Sequence, residues 1–211
     1  TSFASMPTLT DVESIGDYAF YGCTSLASVV IIGDDATIGD YAFSGCTAIT
    51  LVVLGNGVKS VGYKAFYGCT SLTSLAFREG ATTIGDYAFA ECTSLPSLVI
   101  GTYVPHIGKG AFSGCTALTS VVISDSVLTL GNEAFRGCTS LTIVTIPDNI
   151  ESIGDSAFRG CTSLVAVILG KCVNSIGDYA FYRSAICMLY IGSDEFGYGF
   201  SQIHSFFFQT F

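Results

Sequence analysis

The stretch Ile153-Gly-Asp-Ser-Ala-Phe-Arg-Gly-Cys-Thr-Ser-Leu164 recurs along the chain with few changes. Its Ala-Phe pair has eight copies at equivalent positions, and every step between successive copies is 23 residues. The phenylalanines of these pairs are Phe20, Phe43, Phe66, Phe89, Phe112, Phe135, Phe158 and Phe181. A fixed period of this length predicts a solenoid, in which each copy forms one rung that stacks on the next.

The rest of each copy fills in a longer pattern. In the seventh rung it consists of Leu141, Val144, Ile146, Ile150, Ile153-Gly154, Ala157-Phe158, Gly160-Cys161 and Leu164. This pattern resembles the BspA-type leucine-rich repeat, also called the Treponema-pallidum type, over residues 1–191. The fold expected from it is an α/β repeat solenoid, a right-handed superhelix with a stacked parallel β-sheet on its concave face and short helical turns opposite.

Each rung is predicted to have three parts. The first is a short strand, and nine such strands are expected to form one parallel sheet. They are predicted at 3–8, 26–31, 49–54, 72–77, 95–100, 118–123, 141–146, 164–169 and 186–191. The second part is a returning extended segment, with Val58, Val127 and their equivalents facing inward. The third is a helical turn around Asp-Tyr-Ala-Phe, where Asp155 and its equivalents are positioned to cap the helix N-terminus.

Both ends of the chain depart from the pattern. Residues 1–8 align with the middle of a rung, so we expect the chain to be cut from a longer protein or to be incomplete. In the last rung Arg183-Ser184 replaces Gly-Cys, and the next strand starts one residue early. We therefore divide the chain into a solenoid, 1–191, and an aromatic tail, 192–211, which is predicted either to cap the last rung irregularly or not to be a native end. Asp35 falls in the inward column, and a local slip that turns Ala36 inward would explain it.

Composition excludes several classes of protein. Half of the residues are apolar and 12% are charged, which excludes ordinary disorder. The net charge of −9 argues against nucleic acid as a partner. No apolar run approaches the roughly 20 residues of a membrane span, so no membrane insertion is expected.

The nine cysteines predict a packing role. Seven of them occupy one column, from Cys23 to Cys161, and free cysteine packs like a small hydrophobic residue. Disulfides between rungs are the alternative, but parallel stacking points the Cβ atoms the same way and suits disulfide geometry poorly. No Cys or His spacing predicts zinc, so no metal is expected.

The sequence contains no combination of residues that predicts catalysis. His106 and His204 are the only histidines, the many serines follow the repeat, and no glycine-rich phosphate loop is present. We therefore predict a protein that is not an enzyme and has no catalytic residues and no cofactor.

A binding role is favoured instead, because solenoids present extended surfaces for recognition. The outward positions of the strands are apolar and nearly uncharged, which suggests a contact with another protein or lateral association, or else simple strand propensity or cover by a missing domain. The expected partners are other proteins or surface ligands. The predicted contact residues are Val30, Leu51, Val53, Val99, Val122, Ile143, Thr145, Ile168 and Tyr190. The family resemblance implies an adhesion or interaction module that is secreted or at the cell surface.

Two other columns leave alternatives open. A tyrosine column that includes Tyr18, Tyr41 and Tyr87 could form an interface or simply cover the edge of the turns. A strict threonine ladder, from Thr24 to Thr162, could bind a regular surface such as ice or glycan, or could bond locally within the turns. A purely structural spacer in a larger protein is the remaining possibility.

Overall fold

The fold is a stack of parallel β-rungs, seen in a computed structural model that describes residues 8–33, 35–78, 83–102 and 104–191. The first strand of each rung lies on one side of the stack. These strands are β1 Leu9–Thr10, β3 Ser28–Ile32, β5 Leu51–Leu54, β7 Ser74–Phe77, β9 Ser97–Ile100, β11 Ser120–Ile123, β13 Ile143–Ile146, β15 Ala166–Leu169 and β17 Met188–Ile191.

A second set of strands, each two residues long, confirms the predicted returning segments. They are β2 Ser14–Ile15, β4 Thr37–Ile38, β6 Ser60–Val61, β8 Thr83–Ile84, β10 His106–Ile107, β12 Thr129–Leu130, β14 Ser152–Ile153 and β16 Ser175–Ile176. Together they form one eight-stranded parallel sheet in the order of the chain. Every rung therefore contributes to two sheets, and the core lies between them and the turns.

The Ala-Phe phenylalanines form the centre of that core. Phe20 to Phe181 stack ring on ring, with centroids of successive rings 4.9–5.6 Å apart and ring planes within 10° of parallel. Six of the eight are fully buried, from Phe43 to Phe158. Inward residues of the strands, such as Val52 and Leu54, complete the packing.

The cysteine column lies beside the phenylalanine stack and bonds to it. The Sγ of Cys46 donates to the Phe20 carbonyl at 3.0 Å, and that of Cys161 donates to the Phe135 carbonyl at 3.1 Å. Each thiol between these two likewise donates to the carbonyl of the stacked phenylalanine in the preceding rung. In the last rung the hydroxyl of Ser184 takes over this bond, to the Phe158 carbonyl at 3.2 Å. The predicted ladder of buried thiols is confirmed for Cys46 to Cys161.

The predicted helical turns are wrong, because the described residues form strands and turns but no helix. An α-helix needs each N–H to donate four residues back along its own segment. Here alternate N–H groups donate to the following rung instead: those of Tyr18, Phe20 and Gly22 donate to the Asp40, Ala42 and Ser44 carbonyls at 2.7–2.9 Å. Only the N–H groups of the residues between them donate within the rung, each to the carbonyl three residues earlier.

The predicted helix-capping role of the aspartates is therefore also wrong. The Oδ1 of Asp17 accepts the backbone N–H of Asp40 at 2.7 Å, and the Oδ1 of Asp155 accepts that of Asp178 at 2.9 Å. The side chain thus joins neighbouring rungs. The glycine before it permits the close approach, since a Cβ on Gly85 would lie 2.6 Å from the Val61 carbonyl oxygen.

The predicted single sheet of nine strands is wrong as well, because the strands on that side form two sheets. One has the order β1-β3-β5-β7 and the other has the order β9-β11-β13-β15-β17. The division falls at Pro96, where most other rungs have threonine. The N–H groups of Thr50, Thr73 and Thr119 each donate to the preceding rung at 2.9–3.0 Å, and proline has no N–H to do so.

The predicted irregularities near the two ends can be compared in part. Asp35 is exposed and pairs with Lys59 at 2.8 Å, while Ala36 is buried, so the predicted slip is confirmed. The early start of the last strand is confirmed by the pairing of Ile168 with Tyr190. The strand predicted at 3–8, apart from Thr8, and the tail 192–211 lie outside the described residues.

Candidate binding surfaces

The outward side of the five-stranded sheet, which consists of β9, β11, β13, β15 and β17, is an exposed apolar surface. Its side chains are those of Val99, Val122, Ile143, Ile168, Met188 and Tyr190, which we call the strand strip. They are 38–60% exposed. Parallel pairing places Val122 beside Val99, and it places Ile168 between Thr145 and Tyr190, so exposed side chains adjoin across rungs at both ends of the strip. None of these five strands carries a charged residue.

Not all of the predicted contact residues are equally accessible. Thr145 is exposed and pairs with Ile168 within the strip. Val30, Leu51 and Val53 lie on the four-stranded sheet, and their side chains are only partly exposed. The structure therefore concentrates the accessible part of the predicted surface in the five-stranded sheet.

The turns present a second surface of different chemistry. Tyr18 and Tyr21 are more than half exposed, and Tyr18 stacks on Tyr41 with centroids 4.8 Å apart. Tyr63 meets Tyr41 edge to face at 5.3 Å. Tyr63 also meets Tyr87 edge to face, at 6.2 Å. With Tyr67, these residues form the tyrosine patch of the first four turns.

Lys64 lies at the centre of the tyrosine patch. Its Nζ is 5.0 Å from the ring centroid of Tyr67 and 5.3 Å from that of Tyr63. The rings of Tyr41 and Tyr87 are each 5.8 Å away. Partial burial acts to lower the pKa of Lys64, but a hydrogen bond to Tyr63 and the adjacent tyrosines raise it overall. The ammonium is thus held by cation–π contacts and a phenol.

Sequence reasoning missed this cluster. The signal was present, because the Asp-Tyr pair of the neighbouring rungs becomes Tyr63-Lys64 in this rung alone. That double change removes a carboxylate and inserts a cation between two tyrosines of the same column.

The threonine ladder bonds within the solenoid. The hydroxyls of Thr93, Thr116 and Thr139 each donate to the carbonyl of the preceding threonine in the column, at 3.4–3.5 Å. A second column behaves alike, with Thr119 Oγ1 donating to the Pro96 carbonyl at 2.9 Å. These bonds explain the regularity of the ladder without an external ligand.

The reactive side chains are dispersed. His106 is exposed on β10, with its Nδ1 2.9 Å from the Thr129 hydroxyl. His204 lies outside the described residues. Burial raises the pKa of Cys46 to about 11 and the pKa of Cys115 and Cys161 to about 12. These core thiols are therefore protonated at neutral pH and poor nucleophiles.

Neither a metal site nor a membrane span is found in the part of the chain that the structure describes. No group of three or more His, Cys, Asp or Glu side chains is placed to hold an ion. No helix there has the length and apolar character that crossing a bilayer requires.

Comparison with known proteins places these surfaces on a recognised repeat. A profile of the BspA-type leucine-rich repeat region, in six copies, matches residues 13–142 and 129–210. No curated protein matches the chain.

Solved structures include similar solenoids. A leucine-rich-repeat protein from Treponema pallidum is 33% identical, with 76% of each chain covered and a TM-score of 0.66. One from Bacteroides ovatus is 28% identical, with 86% of this chain and 59% of that chain covered and a TM-score of 0.48. A leucine-rich cell surface protein from Faecalibacterium prausnitzii is 22% identical, with 89% and 79% covered and a TM-score of 0.46.

Proposed function

Because the chain belongs to the BspA-type leucine-rich-repeat family, whose repeats generally serve as interaction modules, we propose that it binds other proteins through the strand strip. The role is that of a non-enzymatic interaction or adhesion module. We place its action at the cell surface or outside the cell, which is what the family leads one to expect.

The observation that carries this proposal is the exposure of the strand strip. Val99 and Val122 are 60% and 57% exposed, although they pair directly across β9 and β11. Tyr190, which pairs with Ile168 at the other end of the sheet, is also 57% exposed. A contiguous exposed apolar surface of this kind is typical of a protein-contact site. The absence of charge from these strands agrees with the depletion of charged residues at the centres of interfaces.

The two alternatives have less support. A regular-surface binder would use the threonine ladder, but three of its hydroxyls already donate within the solenoid. A pure spacer would have no use for an uncharged apolar strip facing solvent. The strand strip therefore favours a protein partner over both.

The test is a double substitution, Val99→Lys plus Val122→Lys, in a pull-down of surface and extracellular proteins with quantitative mass spectrometry. Two adjacent lysines would have to lose their hydration on binding, so proteins held by the wild type should be lost. The matched control is Leu128→Lys plus Thr162→Lys, which adds the same charge at exposed positions away from the strip.

Both variants should unfold in urea close to the wild type, because the substituted side chains face solvent. Retention of every partner by the Val99→Lys plus Val122→Lys protein would show that the strip is not the binding surface. Equal losses in the control would point to net charge instead.

A further inference from the structure

Six cysteines repeat at one position in consecutive rungs, and each of them is 0% exposed. We call them the thiol column, which consists of Cys46, Cys69, Cys92, Cys115, Cys138 and Cys161. The three other cysteines differ, because Cys23 is partly exposed and Cys172 and Cys187 are exposed. The fold therefore divides the nine thiols into a shielded set and an accessible set.

Each thiol of the column is bonded to the backbone and not to another thiol. Its Sγ donates to the carbonyl of the stacked phenylalanine one rung earlier, at 3.0–3.5 Å. A hydroxyl can take the place of the thiol, as that of Ser184 does in the last rung. This bond requires the reduced form of cysteine, since a sulfur in a disulfide has no hydrogen to donate.

The spacing of the rungs does not suit a disulfide between neighbours in the thiol column. Phenylalanines three residues before these cysteines stack with centroids 4.9–5.6 Å apart and ring planes within 10° of parallel, so neighbouring turns repeat by translation. Equivalent Cβ atoms share this spacing and direction, whereas a disulfide requires Cβ atoms about 3.5–4.5 Å apart. A bridge within the column would therefore pull two rungs out of their stacked positions.

The unfolded chain lacks this protection. Neighbouring column thiols are 23 residues apart in the sequence, and loops of that length close at a modest entropic cost. Burial raises the pKa of Cys115 from about 9 to about 12, so the reactive thiolate is far more populated in the unfolded chain. The same six cysteines are thus inert when the rungs are stacked and reactive when they are not.

We propose that the thiol column makes folding a redox-gated step: the chain stacks its rungs only while these cysteines are reduced, and the stacked rungs then shield them from oxidants. The oxidant is a small disulfide such as oxidised glutathione. A cysteine thiolate attacks it and one glutathione thiolate leaves; a second column thiolate then attacks the mixed disulfide and releases the other. The cysteine pair loses two electrons and two protons, and oxidised glutathione takes them up as two molecules of reduced glutathione.

One oxidised pair is sufficient to prevent the array from folding, because each rung is stabilised mainly by its neighbours. A bridge between Cys69 and Cys92 would separate backbone partners of the same turns, such as the Phe66 N–H and the Ala88 carbonyl at 2.7 Å. A chain that acts outside the cell must therefore complete its rungs before it meets such an oxidant. This last consequence rests on the proposed location, whereas the redox gate does not.

The first measurement is the reactivity of the thiols in the full chain with Cys172→Ser plus Cys187→Ser. These substitutions remove the two exposed thiols and leave seven of the nine cysteines. At pH 8, Cys23 should react readily with Ellman's reagent, an aromatic disulfide. The thiol column should react about a thousandfold more slowly than in urea, because its cysteines become accessible only when rungs open.

The second measurement is refolding of the same variant. It is unfolded in urea and diluted, at low protein concentration, into buffer with either reduced or oxidised glutathione, and recovery is followed by circular dichroism. Reduced glutathione should give the native signal. With oxidised glutathione most of the chain should stay non-native, and mass spectrometry should find column cysteines oxidised, either in pairs or with glutathione.

Two controls complete the refolding experiment. Excess dithiothreitol added to the trapped chain should restore the native signal, which separates a redox gate from aggregation. Protein that is already folded when it meets oxidised glutathione, for the same time, should keep its native signal.

Four results would overturn the proposal. They are full recovery of the native fold in oxidised glutathione, a folded protein that contains a disulfide within the thiol column, column thiols that react as fast in the folded chain as in urea, and a trapped chain that dithiothreitol does not rescue.

Discussion

At the scale of the residue, the buried thiols give the chain a specific weakness at high pH. The pKa of a thiol in the unfolded chain is near 9, whereas burial raises the pKa of Cys115 and Cys161 to about 12. Between these values the unfolded state binds fewer protons than the folded state, so the free energy of unfolding falls as pH rises. Below pH 9 the full stabilisation is present. We expect a loss of about 1.4 kcal/mol per pH unit for each fully buried thiol above pH 9.

Urea denaturation at pH 8, 9, 10 and 11 measures this slope. Lysines and exposed tyrosines titrate in the same range, so the informative quantity is the difference between the wild type and Cys115→Ala. Above pH 9 the free energy of unfolding of Cys115→Ala should fall less steeply with pH than that of the wild type, by about 1.4 kcal/mol per pH unit. Parallel pH profiles for the two proteins would contradict the assignment.

Residue identities also show how far the sequence could be used for prediction. The phenylalanine stack, the buried thiols and the slip at Asp35 were predictable, because each follows from one position in a fixed period. The left-handed φ of 51–59° shared by the column from Tyr18 to Tyr179 was not, because seven of its eight residues are not glycine. The central position of Lys64 depends on four rings from three rungs, which only the stacked structure brings together.

At the scale of the element, Pro96 determines where one sheet ends and the next begins. Replacing it by threonine should restore the N–H bond to the Thr73 carbonyl and join β7 to β9. One added backbone hydrogen bond is worth about 1 kcal/mol, so Pro96→Thr should raise the free energy of unfolding by about that amount. The reciprocal variant Thr119→Pro removes the equivalent bond one rung later and should lower it by at least as much.

Hydrogen exchange of the β9 amides distinguishes a restored sheet from a general gain in stability. Protection confined to this junction is expected for Pro96→Thr, and a destabilised Pro96→Thr protein would mean that the division has another cause. The division itself could have been predicted from the missing N–H. The absence of helix from the turns could not have been predicted in this way. Whether a backbone N–H donates within its own rung or to the next rung depends on how the rungs stack.

At the scale of the whole molecule, the phenylalanine stack makes stability depend on neighbours. Phe112 lies between two rings, whereas Phe20 has a described neighbour only in Phe43. Truncating a buried phenylalanine costs about 3–5 kcal/mol, which approaches the total stability of many domains. Phe112→Ala should therefore lower the thermal midpoint much more than Phe20→Ala, because the side chain of Phe20 is only partly buried.

Differential scanning calorimetry of the two variants tests this expectation, and a broadened or divided transition for Phe112→Ala would show the rungs on either side unfolding separately. Equal midpoints for both variants and the wild type would show that the stack does not limit stability.

The bonds between rungs also have an evolutionary consequence. Each of the first seven turns donates from the same three amides to the same three carbonyls 22 residues later, so one 23-residue unit is interchangeable with another. Recombination between near-identical gene segments can then add or delete whole units. The backbone N–H groups still find acceptors in the next rung, and the core packing is unchanged. Binding columns lengthen or shorten with each event, so selection can adjust the extent of contact with a target by changing copy number alone.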